Sequence, residues 1–385
     1  MYSASPNRLP LPGAEAAALS ARLRERIAGE IRSAGGWLPF ARYMELALYA
    51  PGLGYYMAGA AKLGTGGDFV TAPELTPLFA RAVARQVGQF IEAGLDTVLE
   101  LGAGSGRMAA DLLLELQRMD RRPRHYIILE NSAELRERQR ARLADAKSAA
   151  RIEWLDSLPS QLTGVVLANE VLDALPVHLV AWRDGAIHER GVTTQADAFV
   201  WEERVADPAL LAAAQAIEVD APYLSEIGLH AEGLAATLAQ RLQRGAMLFI
   251  DYGFGQREYY HPQRDHGTLM CHYRHRAHDD PFFFPGLQDI TAHVNFSAIA
   301  RAAARAGASL LGYTNQAQFL VNCGLTALLA ETSPDQSARY LPQAAAVNRL
   351  VSPAEMGELF KVIALGKSVD FQPLGFARGE LSRLL

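Results

Sequence analysis

Half of the 385 residues are hydrophobic and 21% are charged, the balance of a folded globular chain rather than a disordered or fibrous one. The formal charge is −5 and no Lys/Arg-rich tract occurs, which argues against nucleic acid as a partner, because that affinity comes from phosphate neutralisation. No apolar run approaches the roughly 18 residues of a membrane helix, and Cys271 and Cys323 sit in no metal-ligand spacing, so neither membrane insertion nor a bound metal is expected.

The first twelve residues hold one arginine and three prolines. They form neither a basic-then-apolar leader nor an Arg-rich amphipathic one, and a reducing cytoplasm is the expected location. Residues 14–33 place Leu19, Leu23 and Ile27 at helical spacing. Two stretches rich in Gly, Pro and aromatics follow, 48–56 and 64–74, reading as ordered loops. Thr76 then caps a helix that Pro77 opens and that runs to about residue 93.

From residue 97 short apolar strands alternate with helices: strand 97–101, helix 107–119, strand 125–130, helix 133–145, and strands 151–154 and 164–168. This βαβα rhythm predicts a parallel sheet covered on both faces. Past Asn169 the rhythm loosens into a hairpin, 176–183 with 186–192 around Asp184-Gly185, and a strand at 199–205, read as an insertion on the open face of the sheet. A helix near 230–243 and a strand at 246–251 resume the alternation. A loop-rich stretch (252–290), a helix (296–306), a strand (309–313), a helical excursion and a last strand (360–366) complete the chain.

The segment Glu100-x-Gly102-x-Gly104-x-Gly106 directly follows one predicted strand and directly precedes a helix. Glycines there let the backbone turn sharply and approach a ligand that a Cβ would push away, while the helix N-terminus presents unpaired N–H groups. Dinucleotide folds space their glycines G-x-G-x-x-G. The G-x-G-x-G spacing with an acid two positions earlier, through Ala103 and Ser105, suits instead the amino-acid end of S-adenosylmethionine (SAM), with Glu100 holding the network around its ammonium group. The plain alternative is a tight strand–helix turn without a ligand. Glu130 lies 24 residues beyond Gly106, with Asn131 after it, where doubly wound nucleotide folds place the acid that binds ribose hydroxyls. After the third strand, Asp156, Ser157 and Leu158 lie where an Asp accepts from an adenine amino group; a helix cap by Asp156 or Ser157 is equally open. The glycine-rich loop 64–74 supplies Asp68, Thr71 and Glu74 and is expected to close over the cofactor.

The fourth strand runs into Asn169-Glu170-Val171-Leu172-Asp173. Its carboxyl end should face the crevice where open α/β sheets bind ligands, which places Asn169 and Glu170 near the methyl group. Glu170 and Asp173 are paired carboxylates of the kind that hold a guanidinium fork, although Asp173 is also read as a helix cap. His293 is a further candidate for the transfer site. His261, His266, His272, His275 and His278 match no zinc spacing and read as polar loop residues.

Together these segments resemble the MidA-type family of class I SAM-dependent methyltransferases, relatives of a mitochondrial complex I assembly factor that methylates an arginine. The stretches that carry the resemblance are 50–56, 67–74, 100–106, 169–176, 251–253, 267–274 and 289–296. The resemblance implies an α/β, Rossmann-like class I methyltransferase fold. Its mostly parallel seven-stranded sheet should carry helices on both faces, an N-terminal helical extension and substrate-side insertions. Residues 1–93 would form the extension and the cofactor-covering loop. Residues 94–385 would form the methyltransferase domain, with insertions at about 171–230, 252–295 and 317–357. It also implies a protein substrate bearing arginine, with a respiratory complex I subunit as the candidate, and leaves a homodimer open. One departure stands out: position 295 is Asn where the family is expected to carry Asp, which would matter if that carboxylate met the guanidinium. A methyltransferase acting on a small metabolite, and an assembly chaperone that binds SAM without turnover, are the alternatives. A nicotinamide dehydrogenase is disfavoured by the glycine spacing.

Overall fold

A computed structural model describes residues 9–58, 71–145 and 150–385. The chain divides into two compact units. One is built from the described residues of Met1–Phe69, Asp173–Ala231 and Gln256–Val294, the other from those of Val70–Leu172, Glu232–Gly255 and Asn295–Leu385.

The second unit carries the large sheet. Its strands, in chain order, are β1 (Thr97–Leu101), β2 (His125–Leu129), β3 (Arg151–Leu155), β4 (Leu162–Asn169), β5 (Leu242–Phe254), β6 (Ser309–Asn315) and β7 (Phe360–Lys367). Along the main path of the sheet the order is β6-β7-β5-β4-β1-β2-β3. The five strands β3, β2, β1, β4 and β5 run parallel, and β7 runs antiparallel to both of its neighbours. The connection order reverses between β1 and β4, the point at which open α/β sheets form their ligand crevice.

Local sequence accounts for these elements. β4 is apolar at successive positions, Val165, Val166 and Leu167, because a central parallel strand is buried on both faces. Helix α1 (Pro77–Glu92) begins where Thr76 accepts a hydrogen bond from the Leu78 amide at 3.3 Å, and the ring of Pro77 needs no donor there. Helix α2 (Arg107–Arg118) buries Met108, Ala109, Leu112, Leu113 and Leu116, a stripe of helical period. Helix α3 (Ala133–Asp145) follows β2. The excursion before β7 is three helices, Gln316–Asn322, Leu325–Ala330 and Ser337–Val351. β5 is longer than its apolar run of 246–251, starting at Leu242 with a register shift before Arg244.

The first unit has an antiparallel sheet in the order Leu38–Pro39, Ala186–Gln195, His178–Arg183, Tyr223–Ile227, with Ala198–Val205 paired to Ala186–Gln195. The expected hairpin is present, and both turn residues, Asp184 (φ 54°) and Gly185 (φ 73°), are left-handed as a two-residue turn requires. A smaller sheet joins Arg276–His278, Met270–Tyr273 and Asp289–Thr291. Leu23, Ile27 and Ile31 of the helix Ala14–Ser33 are buried in a cluster with Tyr43, Phe199 and Ile290.

Gly164 of β4 and Gly245 of β5 are register partners, and a Cβ on Gly164 would be driven into the Thr97 carbonyl oxygen. Gly164→Ala should therefore force the β1–β4 pair apart and lower stability by about 3 kcal/mol, read as a fall in the urea unfolding midpoint. An unchanged midpoint would mean that the strands separate without cost.

Candidate active site

The backbone leaves β1 through three left-handed glycines, Gly102 (φ 60°), Gly104 (φ 54°) and Gly106 (φ 77°), and the last is the N-cap of α2. The Gly102 amide donates to Leu129 O (3.1 Å) and the Gly106 amide to Ala103 O (2.8 Å). Among the described residues the amides of Ala103, Gly104 and Ser105 meet no backbone carbonyl. A Cβ on Gly102 would lie 3.3 Å from Val171 Cγ2, so the chain leaving β4 packs against this loop. Ser105 Oγ donates to Glu74 Oε1 and accepts from Arg142 Nη1 (2.7 Å), which fastens the loop to the segment around Glu74. Thr71 precedes the short helix Ala72–Leu75 and accepts the Glu74 amide at its carbonyl (3.0 Å). Asp68 lies outside the described residues.

Glu100 is 1% exposed, and Tyr126 OH donates to its Oε2 at 2.7 Å. Burial raises its carboxyl to about 7; the Tyr126 hydrogen bond opposes that rise and the nearby Glu130 adds to it. Glu130 follows β2 and is also buried. Its Oε1 accepts the Ser132 amide (2.9 Å) and its Oε2 accepts Gln139 Nε2 (3.1 Å). Burial raises this carboxyl too, while the bonds from Ser132, Gln139 and Asn131 hold it down.

Asp156 stands at the end of β3 with an exposed side chain paired to Arg136. The next element is β4 and not a helix, so neither Asp156 nor Ser157 has a helix to cap. The Leu158 carbonyl accepts Arg241 Nη1 at 2.6 Å.

β4 ends in Asn169, and Glu170 is left-handed (φ 53°). A non-glycine residue in that region costs on the order of 1–3 kcal/mol and persists only where its surroundings impose it. Here the Glu170 amide donates to Ile250 O (2.9 Å), and the buried Asp251 accepts the next two amides, Val171 (3.2 Å) and Leu172 (2.9 Å), on one oxygen. Glu170 Oε1 accepts the Ala72 amide (3.3 Å) and Asn169 Nδ2 (3.2 Å). Asn169 Oδ1 is buried and has no partner among the described residues.

Asp173 and His293 belong to the first unit. No helix follows Asp173, so it caps none. Its carbonyl accepts the Ala292 amide (3.0 Å), and the His293 amide donates to Thr268 Oγ1 (3.0 Å). Tyr56 OH donates to Asp289 Oδ1 at 2.9 Å, and its ring stacks on Tyr49. Burial, then Asp289, Tyr49 and Asp173 hold Tyr56 well above the usual tyrosine range, so it stays neutral between two buried acids. Asn295 caps the helix Phe296–Arg305, its Oδ1 accepting the Ala298 amide at 3.1 Å. Asn and Asp serve that role alike. No group of three or more metal-binding side chains forms among the described residues, and burial lowers His272 to about 4.

Gln139, Asp251, Tyr56 and Asp289 escaped the sequence reading. Tyr56, Asp251 and Asp289 fall in stretches that carry the resemblance, the only signal that pointed at them; Gln139 carried none.

A sequence model described as "Putative S-adenosyl-L-methionine-dependent methyltransferase" matches residues 78–314, more than half of the chain. The chain belongs to this family. It is 52% identical to a Burkholderia thailandensis protein crystallised bound to S-adenosyl-homocysteine, with a TM-score of 0.95 over 98% of this chain and 100% of that one. Among curated relatives, the mouse mitochondrial protein arginine methyltransferase NDUFAF7 is 29% identical over 87% of this chain and 82% of its own. The Drosophila melanogaster homologue is 26% identical over 94% and 88%.

The residues at the β1–β4 junction fit SAM. Gly102, Gly104 and Gly106 keep a Cβ off the turn, Glu130 at the end of β2 has lone pairs that would accept ribose hydroxyls, and the buried Asn169 Oδ1 would accept a donor from the ligand. When bound, SAM would supply a methyl group on its sulfonium sulfur, and the glycine turn, Glu130 and Asn169 would hold and orient it.

Because burial lifts the Glu100 carboxyl from about 4.5 to about 7, ionising it works against the folded state. That penalty is absent below pH 4.5, where the group is protonated folded and unfolded, and it is complete above pH 7. Glu100→Gln keeps an acceptor for Tyr126. It should stabilise the ligand-free protein at pH 8 by up to about 3 kcal/mol and have no effect near pH 4, as thermal melts across that range will show.

Proposed function

We propose that this methyltransferase acts on an arginine side chain of a protein. The observation that carries the reading is the pair of buried acids, Asp173 and Asp289, beside one tyrosine of the first unit, Tyr56, which donates to Asp289. A guanidinium cannot shed its charge when it is buried, and carboxylates match its planar fork of donors. The stacked rings of Tyr49 and Tyr56 add apolar faces of the kind on which such a cation stacks. The names of the mitochondrial relatives agree with this substrate, at 26–29% identity. The family resemblance makes a respiratory-complex subunit the first protein to test. Glu170, held left-handed at the end of β4, is the acid assigned to the transfer step.

Asp173→Asn and Asp289→Asn each remove one charged partner, worth about 1.5–3 kcal/mol. Each should lower kcat/KM on an arginine peptide by about 10- to 100-fold while leaving the affinity for S-adenosyl-homocysteine within about twofold. The substrate class is tested with labelled SAM and an extract of a strain lacking the protein, followed by mapping of the labelled residue. Label on protein arginine supports the reading; label confined to small metabolites overturns it.

A further inference from the structure

We propose that Gln139 is a positioning residue that ties the glycine loop at Gly104 to the carboxylate of Glu130, so that both ends of the SAM site are set as one piece. Gln139 lies on α3, whose sequence is otherwise dominated by charge, yet it is wholly buried. Its Nε2 donates to Gly104 O at 2.9 Å and to Glu130 Oε2 at 3.1 Å, and its Oε1 accepts from Trp154 Nε1 at 2.9 Å.

The three partners agree on one orientation of the amide. An indole nitrogen only donates, so Oε1 must face Trp154; a carbonyl and a carboxylate only accept, so Nε2 must face Gly104 and Glu130. One side chain thus joins the loop after β1, the end of β2 and a residue of β3. The Ser132 amide holds the other Glu130 oxygen at 2.9 Å, which fixes the carboxylate at both ends and leaves its remaining lone pairs for the ribose hydroxyls. The close fit also explains the third glycine, since a Cβ at Gly106 would lie 3.2 Å from Gln139 Cα and 3.3 Å from its Cγ. This role needs the family's cofactor but not the arginine reading, so either can fail alone.

The test is calorimetric binding of S-adenosyl-homocysteine to the full chain between pH 4.5 and 8, with no methyl acceptor present. Gln139→Leu should weaken binding by about tenfold or more at pH 8. It should also move the acid limb of the binding profile to higher pH, because Glu130 loses a hydrogen bond that favours its ionised form. The other charged groups acting on that acid, Arg136 and Glu100, are unchanged in the variant. Trp154→Phe removes the donor that orients the amide while leaving Gln139 in place, and should move the limb the same way but by less, with a smaller loss of affinity. This second variant keeps the idea testable if Gln139→Leu does not fold. A lowered melting temperature with wild-type affinity and an unmoved acid limb in either variant would reduce Gln139 to a packing residue and overturn the proposal.

Discussion

Left-handed backbone at the carboxyl ends of β1 and β4 is the constraint on which the site depends. The two strands are parallel neighbours, with Leu101 opposite Ala168. Each chain must turn sharply at the sheet edge without filling the crevice that opens there. After β1 the turn is made by glycines, which adopt positive φ at no steric cost. After β4 it is made by Glu170, a residue for which that conformation is strained. Asp251 holds that strain in place by taking up two successive amides, and Val171 lies where it leaves little room for a Cβ at Gly102. Loop and acid are therefore placed by each other.

The same edge gathers buried carboxyls: Glu100, Glu130 and Asp251 all have a partner on at least one oxygen. Buried ionised groups are costly unless bonded, and these are bonded chiefly to amides and hydroxyl or carboxamide donors rather than to cationic side chains. Hydrogen bonds of that kind satisfy geometry without cancelling charge. With burial raising both Glu100 and Glu130, the ligand-free edge favours their protonated forms, and a bound cation would favour ionising them.

The large sheet was legible because its signals are local. The apolar runs that form β1, β2 and β4, the cap at Thr76 and the glycine spacing all act within a few residues of themselves. The position of Glu130 at the end of β2 could be read for the same reason, being a fixed distance past a recognisable loop. Gln139 could not, because nothing in an Arg- and Glu-rich helix shows which position faces a carbonyl thirty-five residues earlier. Asp251 accepts amides about eighty residues away, and Tyr56 meets Asp289 across more than two hundred. For Asp156 the position after β3 was legible, whereas the helix-cap alternative fails because the short connection to β4 leaves no helix; its carboxylate pairs with Arg136.

The first unit is assembled from three separated stretches of chain, the last of them ending at Val294. On a ribosome its opening helix, Ala14–Ser33, emerges long before the strand Asp289–Thr291 exists. Its buried face must wait, exposed or provisionally covered, until Asp289–Thr291 has been made. The β1–β4 half of the sheet, by contrast, has all its strands by residue 169. Nascent chains should thus acquire the nucleotide-binding edge first and the Tyr56 environment last, and no terminal truncation isolates either unit intact.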